Sequence, residues 1–301
     1  MGGEKRKGHF GGRGGGGKRG PWSKDTELPL GTRGVFVTCD SGREKVVVER
    51  VRELLSEALE AARKAAGEAD IMDRIMDAVG EERWGPAAER QLCYEIKTFV
   101  LAGHETSASM LTWALHELVS APEKMERLRA EGRPVFGDCR GKGGLPAANP
   151  SRAALDTLEY TVGALKEALR KYSVVPVVTR ECVQDDVLGG CAVPRGTTVI
   201  IVMQGVHHRE DIWPEPMEFK PERFMQGEGG GPPSHDRFDF LPFIEGPRNC
   251  LGQHLALLEA RIVLQLLVQR FDFVAESAEN GIRHPGVIPI APWKGCHMSV
   301  H

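Results

Sequence analysis

The chain has 301 residues, of which 41% are hydrophobic and 27% are charged, and its formal net charge is −3. This balance is ordinary for a soluble globular protein of one large or two small domains, and it excludes a global field that would attract nucleic acid. Seven scattered cysteines without a C-x-x-C pair argue against a zinc ribbon and a secreted disulfide scaffold, so a reducing compartment is expected.

The glycine-rich stretch at residues 1–34, with scattered lysine and arginine, predicts a disordered tail, because it cannot bury enough apolar surface. Phe10-Gly-Gly-Arg13-Gly-Gly resembles one RNA-binding unit, but a single copy favours a solvated tail, and no nucleic-acid partner is expected. The stretch from Gly12 to Lys18 mimics a phosphate loop but lacks its final Ser or Thr and a preceding strand. No signal peptide and no apolar run of membrane-spanning length is visible.

Apolar residues at helical spacing predict several helices in the next part of the chain. The predicted helices cover residues 44–62, 71–76, 87–119, 122–128 and 155–171. The third is the longest and contains one glycine, Gly103. Residues 132–150 are rich in Gly, Pro, Arg and Asn, which predicts a loop that is an insertion.

After Pro176 the pattern changes from helical to β-like. Residues 177–179 predict a strand, and residues 187–203 predict two short strands around the turn signal at Pro194-Arg195-Gly196. Residues 225–237 predict a flexible loop, residues 251–271 predict a last helix, and short strands follow. The expected fold is mainly α with a minor β part.

The most informative stretch is Phe243-Ile-Glu-Gly246-Pro-Arg248-Asn-Cys250-Leu-Gly252, which directly precedes the last predicted helix. Glycines allow a sharp turn and a close approach to a flat ligand, and a helix N-terminus favours the thiolate form of a preceding cysteine. Arg248 can pair with an anionic group of that ligand, and Phe243 can stack beneath it. A thiolate held in this way suits axial ligation of haem iron.

This loop resembles that of the cytochrome P-450 family, F-x-x-G-x-R-x-C-x-G, at every fixed position. A structural cysteine before a core helix is the commoner reading of Cys250 alone, whereas the whole pattern favours haem. Ile244 departs from the family, which has a small or polar residue there. The resemblance extends over residues 45–301 and implies the C-terminal part of the family fold.

Ala102-Gly103-His-Glu105-Thr106 lies inside the long predicted helix and is similar to the family's oxygen-activation motif. Gly103 opens a groove over the haem, and the Thr106 hydroxyl can bond back to the carbonyl of Ala102. The resemblance implies that Thr106 and Glu105 serve oxygen activation and proton delivery. Taken alone, the motif would fit an ordinary exposed glutamate and helical threonine nearly as well.

Glu167-Ala-Leu-Arg170 places an acid and a guanidinium three residues apart on one helix, and Pro221-Glu-Arg223-Phe224 follows later. In the family, this second arginine joins the E-x-x-R pair. The resemblance implies a buried structural cluster for the haem pocket rather than acid–base catalysts.

Four further polar residues follow the E-x-x-R helix, namely Arg180, His207, His208 and Arg209. The family places an arginine or histidine at the position of Arg180 against a haem propionate, and His208-Arg209 resembles the family's H-R-D segment. A metal site at His207 and His208 lacks a third ligand at suitable spacing, so packed or propionate-contacting histidines are expected.

The resemblance implies a haem b monooxygenase that acts on a lipophilic substrate. Its electrons come from NADPH through a reductase, or from a ferredoxin, docked on the Cys250 face. Full-length relatives are usually attached to the endoplasmic reticulum or plastid membrane.

The family's chains are much longer on the N-terminal side, so we expect a fragment. A truncated, catalytically incompetent haem-binding or interaction protein is the alternative, and an RNA-associated protein acting through residues 1–34 is a third reading.

Overall fold

A computed structural model describes residues 85–137, 139, 149–225, 236–276, 289–292 and 296–301. The predicted tail at 1–34 and the predicted helices at 44–62 and 71–76 lie outside these residues. Most of the predicted loop at 225–237 does so as well.

Helices account for most of the described chain. They are α1 (Pro86–Ser120), α2 (Pro122–Phe136), α3 (Arg152–Asp156), α4 (Glu159–Tyr172), α5 (Met203–His207), a 3-10 helix (Pro221–Phe224) and α6 (Gln253–Arg270). Prolines at the first position open α1, α2 and the 3-10 helix, where the missing N–H is not needed. None of the helices in the described residues combines the length and apolarity of a membrane span.

The strands form three separate antiparallel pairs. They are β1 (Val177–Glu181), β2 (Asp186–Leu188), β3 (Cys191–Val193), β4 (Thr198–Val202), β5 (Phe273–Ala275) and β6 (Met298–Val300). β1 pairs with β4 so that Val177 lies opposite Val202, β2 pairs with β3, and β5 pairs with β6. The expectation of a mainly helical fold with a minor β part is confirmed.

The main hydrophobic core lies between α1, α2, α4 and α6. Its fully buried side chains include Trp113, Leu118, Leu128, Leu165, Ala168 and Leu264. The Trp113 ring stacks on Tyr172 with a centroid distance of 3.8 Å, and its Nε1 donates to the carbonyl of Ile290 at 2.9 Å. Large aromatic surfaces with satisfied polar atoms stabilise the contact between α1 and the end of α4.

The first half of α1 differs sharply from its second half. Val100 and Leu101 are 64% and 66% exposed, whereas Trp113, Ala114 and Leu118 are fully buried. The first half of α1 therefore adds little to the described core, whereas the second half packs within it. The first half carries the Ala102-Gly103 motif.

The N-terminus of α4 is capped by a side chain from another helix. Leu158 precedes α4 and offers no capping oxygen, so the Glu131 carboxylate of α2 accepts the N–H groups of Tyr160 and Thr161 at 2.6 and 2.8 Å. A carboxylate is also favoured at the positive end of a helix dipole. The start of α4 therefore depends on the position of α2.

The predicted loop at 132–150 was wrong at its start, because α2 continues to Phe136. A Cβ on Gly132 would lie 1.8 Å from the Gln265 Oε1 atom, so glycine is needed there for helix packing. Pro134 lies inside the helix, and the buried Phe136 packs in a second small cluster with Leu155 and Leu158. Tertiary burial thus overrides two residues that weaken helices.

The predicted helix at 155–171 is in fact two helices, because the chain breaks at Thr157 and Leu158. The Thr157 side chain and its backbone N–H both bond to the carbonyl of Ala154, which ends α3. Threonine oxygens compete with the helical backbone in this way.

The region predicted to hold two strands at 187–203 contains three. The β2–β3 hairpin turns at Gly189 and Gly190, which have φ values of 57° and 82°. A two-residue hairpin needs positive φ at both positions, and glycine adopts it at low cost. The predicted turn at 194–196 instead links β3 to β4, which belong to different sheets.

Gly163 of α4 is required by the close approach of the 3-10 helix. A Cβ on Gly163 would lie 2.6 Å from the backbone oxygen of Pro221. We expect Gly163→Ala to lower the free energy of unfolding by about 1–3 kcal/mol, because backbone must move to relieve the overlap. Urea denaturation followed by circular dichroism measures it.

Gly205→Ala is the matched control, since its Cβ would meet Val202 Cγ1 at an ordinary 3.5 Å. We expect this variant to be as stable as the wild type or slightly more stable. Equal losses in the two variants would contradict the packing argument.

Candidate haem-thiolate site

The cysteine loop is a compact turn that ends three residues before α6. The Cys250 N–H donates to the Phe243 carbonyl at 2.9 Å, and the Asn249 N–H donates to the Gly246 carbonyl at 3.1 Å. Gly246 has a φ of 95°, which favours glycine. These contacts fold the predicted motif back on itself and leave its cysteine at the surface of the loop.

Ile244, the departure noted in the sequence, lies in the left-handed region with a φ of 62°. This conformation costs an L-residue roughly 1–2 kcal/mol, and β-branched residues rarely adopt it. The loop therefore keeps its turn despite the isoleucine and stores local strain next to the glycine.

The Cys250 thiol is free and exposed. Leu251 beside it is 84% exposed, and a Cβ on Gly252 would lie 4.0 Å from the Cys250 sulfur, at ordinary contact distance. Phe243 is half-buried and packs against the main core. A free sulfur beside an exposed apolar residue on an anchored loop fits the face of a large apolar ligand.

The oxygen motif lies on the exposed half of α1. The Thr106 hydroxyl donates to the Ala102 carbonyl at 2.6 Å, as the sequence predicted. Ala102 and Gly103 are exposed, and a Cβ on Gly103 would meet no other atom within 4 Å. Glu105 and Thr106 are half-buried.

The structure brings together the three residues of the predicted cluster. Arg170 donates to both Glu167 carboxylate oxygens at 2.7 and 2.8 Å, and both side chains are 0% exposed. The Arg223 Nε atom lies 3.3 Å from Glu167 Oε1. A bidentate pair with a second guanidinium satisfies a buried carboxylate.

Both arginines also bind the chain between α5 and the 3-10 helix. Arg170 donates to the carbonyls of His207 and Pro216 at 2.9 and 2.8 Å. Arg223 donates to those of Pro214 and Glu215 at 2.6 and 3.0 Å. The cluster thereby fixes a segment without regular secondary structure to helix α4.

His207 and His208 have partners within the fold. The Leu241 N–H donates to His207 Nε2 at 2.9 Å, and His207 Nδ1 lies 2.9 Å from the Ser173 hydroxyl. His208 Nε2 lies 2.8 Å from the Lys171 carbonyl. Burial, reinforced by the charges of Arg170 and His208, lowers the pKa of His207 to about 3, so its ring is neutral at neutral pH.

Arg180 and Arg248 are both exposed. Arg180 on β1 donates to the carbonyl of its neighbour Thr179 at 2.8 Å. Among the described residues, no hydrogen bond or ion pair joins Arg180, Arg248, Thr106 and Cys250 to one another. These four residues lie on three elements, namely β1, the cysteine loop and α1, and only Thr106 is half-buried whereas the others are exposed.

The donor set is consistent with haem and not with a structural metal. In the described part of the chain, no group of three His, Cys, Asp or Glu residues could hold a metal ion. A structural zinc site needs four protein ligands, whereas haem iron needs a single axial thiolate from the chain. Cys250 is a single free thiol with the exposed apolar Leu251 beside it, and it therefore fits the requirement of haem iron.

Comparison with known sequences decides the family. The sequence profile described as cytochrome P-450 matches residues 36–291. The chain belongs to the cytochrome P-450 family. Its helices, small sheets and cysteine loop constitute the C-terminal part of that fold, as the sequence predicted, and membership implies a haem cofactor.

Two of the curated relatives of this P-450 chain are hydroxylases by name. It is 36% identical to a cytokinin hydroxylase of Arabidopsis thaliana over 64% of this chain and 35% of that protein. It is 32% identical to a taurochenodeoxycholic 6 alpha-hydroxylase of Sus scrofa, over 68% of this chain and 38% of that protein. It is also 32% identical to cytochrome P-450 4A2 of Rattus norvegicus, over 80% of this chain and 45% of that protein. The chain thus spans less than half the length of these relatives.

The sequence did not predict two sets of contacts, those of the His207 ring and those of the Glu131 carboxylate. His207 bonds to Ser173, which lies 34 residues before it, and to Leu241, which lies 34 residues after it. Glu131, which caps α4, lies 29 residues before Tyr160. The paired histidines were a visible signal, but their partners depend on tertiary structure.

Proposed function

We propose that this chain provides the haem-binding part of a monooxygenase that inserts one oxygen atom of O₂ into a lipophilic organic substrate. The second oxygen atom leaves as water, and two electrons and two protons balance the reaction. The observation that carries this proposal is the free, exposed Cys250 thiol in a turn that matches the family's haem loop.

In this proposal Cys250 would hold haem b through its thiolate. Arg248 and Arg180 pair with the propionates, since both guanidiniums are exposed. Phe243, Gly246 and Gly252 shape the loop under the ring, and Ala102 with Gly103 offers a surface without bulky side chains. Haem, when bound, supplies the activation of dioxygen and the oxidation of the substrate.

Thr106 and Glu105 hold and deliver protons at this site. The Thr106 hydroxyl donates to Ala102, so its oxygen lone pairs remain available to accept from a water or donor in the groove. Glu105, one residue before it, is half-buried and can exchange protons with solvent. The Glu167, Arg170 and Arg223 cluster holds the fold of the pocket and takes no part in proton transfer.

The remaining components of the proposal follow from the family. Electrons originate from NADPH and arrive through a reductase or ferredoxin that docks on the Cys250 face. Residues 45–301 form the catalytic part, and residues 1–34 are a separate Gly-, Arg- and Lys-rich tail. Full-length relatives are usually attached to the endoplasmic reticulum or plastid membrane.

Carbon monoxide binding tests the proposal most directly. The full chain is expressed with added haem, reduced and exposed to carbon monoxide. We expect the strongly red-shifted Soret band that marks a thiolate ligand. A haem-free protein, or a band without this shift, would contradict the proposed function.

The proton-delivery role of Thr106 predicts a specific defect. We expect Thr106→Val to reduce product formation about 10²-fold in the presence of a reductase, because the hydroxyl that holds a proton-delivering water in the groove would be lost, and positioned proton transfer typically contributes about 10²–10⁴-fold. The carbon monoxide spectrum should stay unchanged, since Thr106 does not bind the iron.

Thr112→Val is the matched control for this variant. Thr112 lies six residues further along α1, and its hydroxyl also donates to the carbonyl four residues earlier, that of Ala108, at 2.8 Å. Unlike Thr106, Thr112 is buried. Its product yield should equal that of the wild type. If both variants lost product formation equally, the loss would come from the changed helix backbone and not from the Thr106 hydroxyl.

A further inference from the structure

His207 is fully buried and stands between the E-x-x-R cluster and the segment that leads into the cysteine loop. Its backbone carbonyl accepts from Arg170 at 2.9 Å. Its ring contacts Ser173, which ends α4, and Leu241, which lies nine residues before Cys250.

The hydrogen bonds fix the tautomer of the ring. Because the Leu241 N–H donates to Nε2, that atom carries a lone pair and the ring proton lies on Nδ1. Nδ1–H then donates to the Ser173 oxygen, and the Ser173 hydroxyl donates to the Arg170 carbonyl at 3.2 Å. Every polar atom of the ring is thus used, and each bond has one possible direction.

The two anchor points of the ring connect rigid and irregular structure. Ser173 is the C-terminal cap of α4, with a φ of 44°, and its N–H donates to Leu169 at 2.8 Å. Leu241 belongs to a stretch with neither helix nor strand, and the Phe243 carbonyl two residues later accepts the Cys250 N–H. The Phe240 ring packs beside His207 with a centroid distance of 5.5 Å.

We propose that His207 is a positioning residue. Its Nε2 atom accepts the Leu241 N–H while its Nδ1 atom bonds to Ser173 at the end of α4, and these two bonds fix the position of the cysteine loop relative to α4. This inference rests on the proposed function, because the loop matters through its thiolate. Without the Nε2 acceptor, the half-buried Leu241 N–H would lose its partner and the segment before the cysteine loop would lose its link to Ser173.

Three substitutions of His207 separate hydrogen bonding from volume. His207→Gln retains a polar atom at the position of Nε2 and can accept from Leu241. His207→Asn retains one only at the position of Nδ1, so it reaches Ser173 but not Leu241. His207→Phe retains the ring volume without any polar atom.

The first measurement is the fraction of the carbon monoxide complex with the red-shifted thiolate band. We expect the glutamine variant to match the wild type and the asparagine and phenylalanine variants to lose most of that band. The second measurement is hydrogen exchange of the Leu241 amide in the haem-free full chain, at a temperature where all variants are folded. We expect exchange to be about tenfold faster in the asparagine and phenylalanine variants than in the glutamine variant.

Equal bands and equal exchange rates in the glutamine and asparagine variants would overturn the proposal, because only volume would then matter. If the wild-type chain fails to bind haem, the proposed function fails, while the exchange rates still decide the role of His207. In that case, fast exchange restricted to the asparagine and phenylalanine variants supports the positioning role, and uniform rates refute it.

Discussion

Cys250→Ala is expected to abolish the red-shifted carbon monoxide band of the haem-loaded chain and to reduce substrate oxidation to background. In the proposed function the Cys250 thiolate donates electron density to the iron, and no second sulfur lies in the loop to replace it. Because the Cys250 side chain is exposed, its removal should change the free energy of unfolding by less than about 0.5 kcal/mol. Absorption spectra and urea denaturation of the same preparation measure both effects.

Cys191→Ala provides the control for this experiment. Cys191 is also a free, exposed cysteine, but it lies on β3 opposite Leu188. Its replacement should leave the spectrum and the activity unchanged. A red-shifted band that survives in Cys250→Ala, or that disappears in Cys191→Ala, would assign the iron ligand to another residue.

Glu167→Gln is expected to lower the free energy of unfolding by about 3–5 kcal/mol, since removing one partner of a buried ion pair leaves an uncompensated charge. Arg170 would remain at 0% exposure without its counter-ion, and Arg223 would lose the same carboxylate. The fluorescence of Trp213, which is buried within 5.4 Å of the Arg170 guanidinium, reports the loss during urea denaturation.

Glu126→Gln makes the same chemical change in an exposed ion pair. Glu126 pairs with Arg133 on α2 at 3.2 Å, and both side chains are more than half exposed. Such pairs contribute about 0–1 kcal/mol, so this variant should resemble the wild type. A loss below about 1 kcal/mol in Glu167→Gln would show that the cluster is not needed for folding.

The parts of this fold that the sequence predicted correctly depend on short-range patterns. Helix α6 and the cysteine turn follow from glycines and apolar periodicity within about twenty residues. The Glu167 and Arg170 pair is set by helical spacing alone. The contact of Arg223 with Glu167, which are 56 residues apart, was reached only through the family resemblance.

The errors arose where packing overrides local preference. Gly132 and Pro134 would end an isolated helix, but the approach of Gln265 and the burial of Phe136 continue α2 past them. The turn predicted at 194–196 is present between β3 and β4, but the β2–β3 hairpin before it was not predicted, because no proline marks that turn. Gly189 and Gly190 supply two consecutive positive φ values, and this requirement of strand twist decides the position.

The cap that Glu131 places on α4 bears on how the protein folds. An isolated α4 segment has two exposed N–H groups and no local oxygen to satisfy them, so its first turn is costly to nucleate. The carboxylate arrives only when α2 docks, so the two helices gain their stability in one step. Cooperative units of this kind open together in hydrogen exchange, so we expect the amides of α2 and α4 to exchange in one common opening.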